Sequence, residues 1–246
     1  MSILIRNGAV LPLDDEGTVI DPGYVVVEGD RIAQVGAGEP PPEIEQSADK
    51  VIHAGHCAVL PGLVNAHTHL FQTFIRGLAD DKTLLPWLEG AIWPVARHMG
   101  AAEAHLAGLL GLVENIRCGA TAVLDHQYLH ADPESDAAFC RAAKEVGCRF
   151  LIARGWADRN YHPVFQETQE QVIAAVTRLY EEWHGAEGDR LRVAFGPLIP
   201  WGCSEEAMKA TLTLARAWGV STHIHVAETR EEVRMSLESS GKRHIE

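Results

Sequence analysis

Over the first 58 residues, apolar and polar positions alternate in short runs broken by turn formers. Ile3-Leu4-Ile5, Val25-Val26-Val27, Ile32-Ala33-Gln34-Val35 and Val51-Ile52 read as strands, and Glu28-Gly29-Asp30-Arg31 between two of them reads as a hairpin turn. Together they predict a small β-sandwich over residues 1–58. The Pro-rich stretch Gly38-Glu39-Pro40-Pro41-Pro42 is expected to be a surface loop.

From residue 59 to residue 246 the pattern changes to apolar runs that alternate with helix-period segments, which predicts parallel βαβ units. Strands are expected near Val64, Val123, Ile152, Ala194 and Ile224. Helix punctuation falls between them: Asp132-Pro133 as an N-cap and first-turn proline, Ser204-Glu205-Glu206 as a helix start, and Gly119, Gly147 and Gly219 after helical runs. Separations of roughly 30 residues between several strands suit a (β/α) barrel. The first interval is about 59 residues, from Val64 to Val123, and implies an insertion over the active face. It holds Thr83-Leu84-Leu85-Pro86-Trp87-Leu88-Glu89-Gly90-Ala91-Ile92-Trp93-Pro94, whose Trp87 and Trp93 are expected either to roof a flat substrate or to pack in the core.

Composition narrows the possible partners. The 246 residues are 46% hydrophobic and carry a formal net charge of −13, with a pI near 5.4 and no Lys/Arg run, which argues against nucleic acid and anionic membranes. The longest nearly apolar stretch, Leu106–Val113, is cut short by Glu114, and the amino terminus has no signal-peptide core. A cytoplasmic location is expected. Five cysteines without a C-x-x-C pair read as reduced thiols. P-loop, G-x-G-x-x-G and G-x-S-x-G signatures are all missing, so nucleotide-fold and serine-hydrolase chemistry lack their minimum parts.

Histidine, at thirteen residues, is the anomaly. The apolar run Val59-Leu60-Pro61-Gly62-Leu63-Val64-Asn65-Ala66 ends in His67-Thr68-His69, and in a strand residues i and i+2 share a face. Two imidazoles at one strand end make half of a metal site. Val220-Ser221-Thr222-His223-Ile224-His225 repeats the pattern. His223 and His225 would lie about 6.6 Å apart along a strand, so one is expected as a ligand and the other as a lining or core residue. His225 is nearer the strand end, and Glu228 follows where an acid or base could reach water on the metal. Thr229-Arg230-Glu231-Glu232 alternatively reads as a capping box that opens a helix. The run Leu124-Asp125-His126-Gln127-Tyr128 ends polar at the presumed mouth, which makes His126 and Gln127 candidates for substrate contact.

These residues resemble the amidohydrolase superfamily, in the branch of aminohydrolases and chlorohydrolases that act on adenosine-type, 8-oxoguanine and triazine rings. Pro61-Gly62-Leu63-Val64-Asn65-Ala66-His67-Thr68-His69 and His225-Val226-Ala227-Glu228-Thr229 carry the likeness, and Pro86-Trp87-Leu88 and Phe195-Gly196-Pro197 support it. The resemblance implies an α/β fold of (β/α)8 TIM-barrel type, truncated after about five strands, with a small amino-terminal β-sandwich domain. It implies His67, His69 and His225 as metal ligands and Glu228 as the catalytic proton shuttle, with substrate contacts from Trp87, Trp93, His126 and Gln127.

Further expectations come from the same likeness. Binuclear relatives carry a bridging modified lysine or another anionic ligand at the fourth strand end. Val193-Ala194-Phe195-Gly196-Pro197-Leu198-Ile199-Pro200 has no Lys, Glu or Cys, so one divalent ion is expected, Zn2+ before Fe2+. Leu198-Ile199 stand where adenosine-type enzymes often have a substrate-contacting histidine, which makes adenosine and its thioether derivatives less secure as substrates. Family barrels continue through three more strands with another histidine and a metal-binding aspartate, so the chain is expected to be an amino-terminal part of a longer protein. The implied function is hydrolytic deamination of a purine-, pyrimidine- or triazine-like ring by a metal-dependent aminohydrolase acting on non-peptide carbon–nitrogen bonds, with a homo-oligomeric assembly. Hydrolytic dechlorination, cyclic-amide opening and a noncatalytic metal-binding fragment are the alternatives.

Overall fold

The structure, a computed structural model, describes residues 1–245. It forms two compact units, Met1–Gly62 and Leu63 onward. In the first, β1 (Ser2–Val10), β2 (Ile20–Glu28), β3 (Arg31–Ala37), β4 (Lys50–His53) and β5 (Ala58–Val59) build one sheet in the order β3-β2-β1-β4, with β5 also on β1. The turn at Gly29-Asp30 forms, with Glu28 paired to Arg31. Tyr24 lies opposite Gly36 and crosses it so closely that a Cβ there would sit 2.4 Å from the ring.

The expected β-sandwich is not borne out among the described residues of this unit, which supply a single sheet. Strand length is the reason. β4 and β5 have four and two residues, and both spend their backbone groups on β1 instead of starting a second layer. The short helix α1 (Pro42–Ser47) stands in for that layer: Leu4 and Val26, paired in register, bury with Tyr24 against Ile44, Ala48 and Val51.

The second unit is α/β. Strands β6 (Leu63–Thr68), β7 (Ala120–Gln127), β8 (Arg149–Trp156) and β9 (Leu191–Pro197) form a parallel sheet in sequence order. Between β6 and β7 run α2 (Leu84–Trp87), a π-helical turn at Leu88–Ile92, α3 (Trp93–Ala96) and α4 (Ala101–Arg117). Helix α5 (Ser135–Val146) joins β7 to β8, α6 (Gln169–Trp183) and the short α7 (Ala186–Asp189) join β8 to β9, and α8 (Glu205–Trp218) and α9 (Arg230–Ser240) follow. In α6, Thr168 and Gln171 close a capping box, and Val172, Val176, Leu179 and Trp183 are buried at helical spacing. Helix α8 starts on Ser204, which accepts from the Ala207 N–H, and ends at left-handed Gly219. None of the described helices is long and apolar enough to cross a membrane.

Two expectations change here. Asp132-Pro133 does not open α5, which begins at Ser135; Asp132 instead accepts from the Glu134 and Ala101 N–H groups, the latter at the start of α4. The fifth strand near Ile224 is reduced to a single bridge between Phe195 and Thr222. The Phe195 N–H donates to Ser221 O (3.2 Å) and the His223 N–H to Phe195 O (2.9 Å), as a parallel ladder requires. The next rung needs an N–H from residue 197, which is Pro197 and has none. The ladder stops, and the His225 N–H donates to Leu198 O (3.2 Å), one residue out of register.

A buried ionic network ties together the carboxyl ends of β7 and β8. Arg154 donates to Asp136 (3.1 Å) and through both terminal nitrogens to Glu167 (2.6 and 2.7 Å), while His130 lies 3.0 Å from Asp136 and 2.8 Å from Gly155 O. Burial alone would raise the Asp136 carboxyl, but His130 and Arg154 beside it hold it at about 2. The network anchors the chain on either side of the loop that carries Tyr161.

Candidate metal centre and its cavity

Strand β6 delivers His67 in its last turn of pleat and His69 just past its end, where a parallel sheet opens its carboxyl edge. The irregular segment along β9 delivers His225 to the same point. One ring nitrogen from each of His67, His69 and His225 lies within 4.8 Å of the others. His223 faces them too, with its Nε2 2.7 Å from His67 Nδ1, so it pairs with a member of the trio and stands outside it.

Tautomers follow from the partners. His69 Nδ1 is 2.7 Å from His126 O and His225 Nδ1 is 3.0 Å from Leu198 O. A carbonyl only accepts, so both Nδ1 atoms carry the proton and both Nε2 atoms present a bare lone pair. Those two Nε2 atoms are 3.2 Å apart. Two lone pairs at that distance repel unless a cation lies against both, and carbonyl-fixed neutral imidazoles are what a divalent ion requires. The donor set therefore fits a metal. Burial keeps the rings neutral: it holds His69 at about 3 and lowers His67, His223 and His225 as well.

The trio forms part of the wall of a cavity of about 390 Å3. Its remaining lining is largely flat and apolar: Trp87, Tyr128, Tyr161 and Trp201 with Leu84, Leu88, Leu198 and Ile199, plus Gln72 and Glu228. Ala227, with φ of 54°, turns the backbone through the left-handed region immediately before Glu228. Partial burial and the nearby Glu232 push the Glu228 carboxyl above its ordinary range.

The candidates from the sequence part company here. His67, His69, His225, Glu228 and Trp87 share the cavity. Trp93 does not line it; its ring packs edge-on against Tyr161, centroids 5.0 Å apart, behind that lining residue. His126 is fully buried behind the trio: its Nε2 lies 2.9 Å from Gly196 O, and its ring stacks on His225 at 4.7 Å. Gly196 makes that room, since a Cβ there would come within 2.8 Å of the His126 ring. Gln127 is also buried and donates to Leu129 O (2.8 Å), closing the turn after β7. Both were expected to touch substrate, but at the end of a parallel strand their side chains are taken up by neighbouring backbone, and His126 acts through the carbonyl that fixes His69.

Sequence reasoning passed over Gln72, Leu84, Leu88, Tyr128, Tyr161 and Trp201 as lining residues. A signal was available for three of them. Tyr128, Tyr161 and Trp201 follow β7, β8 and β9, in the loops that form the mouth of a barrel sheet.

A family model described as "Amidohydrolase family" matches residues 58–246. The chain is 38% identical over 245 residues to a 5'-deoxyadenosine deaminase of Methanothermobacter thermautotrophicus, covering 100% of this chain and 53% of that one. It is 34% identical over 242 residues to a 5-methylthioadenosine/S-adenosylhomocysteine deaminase of Thermoanaerobacter pseudethanolicus, covering 98% and 53%. Among solved structures, an atrazine chlorohydrolase from Arthrobacter aurescens TC1 complexed with zinc superposes with a TM-score of 0.87 at 25% identity, over 98% of this chain and 56% of that one. The chain spans about half the length of the curated relatives it matches.

Proposed function

The chain belongs to the amidohydrolase family, and from that premise we propose that the protein is a metal-dependent deaminase that hydrolyses an amino group from a flat heterocycle. The observation that carries this reading is the pair of bare Nε2 lone pairs on His69 and His225, 3.2 Å apart, in one aromatic cavity with Glu228. His67, His69 and His225 would hold one divalent ion. Zinc is favoured by the solved chlorohydrolase complexed with it. Such an ion supplies a Lewis acid that makes a water acidic enough to lose a proton near neutral pH.

The chain's own residues do the rest. Trp87, Tyr128, Tyr161 and Trp201 offer faces and edges to a planar ring and exclude bulk water around it. Glu228 is the only carboxylate lining the cavity among the described residues, and its raised pKa suits a group that first takes a proton and then returns it. It removes a proton from the attacking water and passes it to a ring nitrogen. As the C–N bond breaks, the remaining proton of the added hydroxyl moves to the departing amino nitrogen, so one water is consumed, the ring keeps a C=O and an N–H, and one ammonia leaves. The relatives named as deaminases of adenosine derivatives support purine-like rings. Leu198 and Ile199 make the floor beside His225 apolar, which supports rings with apolar substituents.

The superposition on an atrazine chlorohydrolase favours a second reading, in which the same cavity expels chloride from a triazine. Turnover of the zinc-loaded protein on aminopurines, aminopyrimidines and amino- and chlorotriazines, read as ammonia and chloride, separates the two. Ammonia release is expected, together with a fall in kcat of about 100-fold or more in Glu228→Gln at unchanged zinc content. Chloride without ammonia would sink the deaminase reading, and wild-type turnover by Glu228→Gln would remove Glu228 from the mechanism.

A further inference from the structure

Glu232 lies four residues beyond Glu228, yet it is 1% exposed and both of its oxygens are engaged. Oε2 closes a capping box at the start of α9, accepting from the Thr229 N–H (2.7 Å) and lying 3.1 Å from the Thr229 hydroxyl. That much a capping glutamate at the protein surface would do in water. Here the other oxygen reaches into the protein and accepts from the indole Nε1–H of Trp201 (3.0 Å). Trp201 lines the cavity and packs against Tyr161, centroids 5.9 Å apart, and its carbonyl accepts from Asn160 Nδ2 (3.0 Å). One buried carboxylate thus joins the turn that presents Glu228 to the aromatic wall that faces the substrate ring. A cap alone has no need of burial, which costs a carboxylate solvation that it recovers only through partners on both oxygens.

We infer that Glu232 is a positioning residue for the reaction, one that fixes the Glu228-bearing turn and the Trp201 face in a single geometry. The inference rests on the reading of Glu228 as the proton carrier. Glutamine at 232 has one accepting oxygen for two N–H groups. If that oxygen stays on Thr229, an amide NH2 meets the indole N–H donor to donor, and Trp201 must move.

The test is a double-mutant cycle in the zinc-loaded protein with Glu232→Gln, Trp201→Phe and the two combined, and with Thr229→Ala as a control for the cap. Glu232→Gln is expected to raise KM and lower kcat, with kcat/KM down about tenfold, the scale of one lost charge-assisted bond. In the Trp201→Phe background the same change is expected to cost less than about twofold, because the N–H it orphans is gone. The Trp201 indole N–H resonance, identified by its loss in Trp201→Phe, should shift in Glu232→Gln and shift less in Thr229→Ala, which removes a partner of Oε2 and leaves the Oε1–indole bond in place. An equal cost of Glu232→Gln in both backgrounds, or an unmoved indole signal, would overturn the inference. If no ring is deaminated by the wild type, the function proposed above fails, while the indole signal still decides the role of Glu232.

Discussion

Replacing Asp136 by asparagine probes the best-defined charge arrangement in the second unit. The carboxylate sits between His130 and Arg154 in a buried setting, and its folded pKa of about 2 stands against an ordinary value of 3.8. That depression corresponds to about 2 to 3 kcal/mol in favour of the ionised form. Because the folded pKa is depressed, this contribution is fully present above the unfolded value and is lost as pH falls from about 4 towards 2. Linkage puts about half of it gone at pH 3 and most of it gone at pH 2. Asp136→Asn resembles the protonated acid, so it should be less stable than wild type by about 2 to 3 kcal/mol at pH 7, which for a unit of this size lowers Tm by about 6 °C. The gap should halve by about pH 3. Urea unfolding of both proteins at pH 7, 5, 4 and 3 measures it. A gap that stays constant with pH would show that the loss comes from shape and not from charge, and would refute the reasoning.

Two further outcomes test other parts of the structure. His225→Ala should weaken zinc binding by at least about 100-fold, while His223→Ala, outside the trio, should keep one ion per chain; metal analysis after gel filtration that shows equal retention in both would contradict the assigned ligand set. Burial raises the Asp125 carboxyl to about 8, with one oxygen accepting from the Leu70 N–H (2.8 Å). A raised acid pKa adds stability fully present below the unfolded value and lost as pH rises through 8. Asp125→Asn should therefore gain on wild type from about pH 4 upward and level off above about pH 8; a gain that grows towards acid pH would mean the carboxyl is ionised in the fold.

The sequence by itself determined the elements whose causes are local. The hairpin turn at Gly29-Asp30, the Thr229 capping box and the alternation of parallel strands with helices each depend on a few adjacent residues, so pattern alone was sufficient. His67 and His69 stood out as two imidazoles at one strand end, while the choice of His225 as their partner came from the family resemblance; the fold brings one ring nitrogen of each within 4.8 Å of the others. Tertiary structure decided what depends on distant partners. Whether β4 and β5 would start a second sheet was settled by their pairing with β1, and the Ile224 strand was cut short by a proline 27 residues earlier in the chain. His126 and Gln127 looked available for substrate until the fold brought Gly196 O and Leu129 O to their side chains. The roles of Trp201 and Glu232 could not be read from neighbours in sequence, because a hydrogen bond across 31 residues joins them. Backbone periodicity sets which way a residue faces, but only packing sets what it meets.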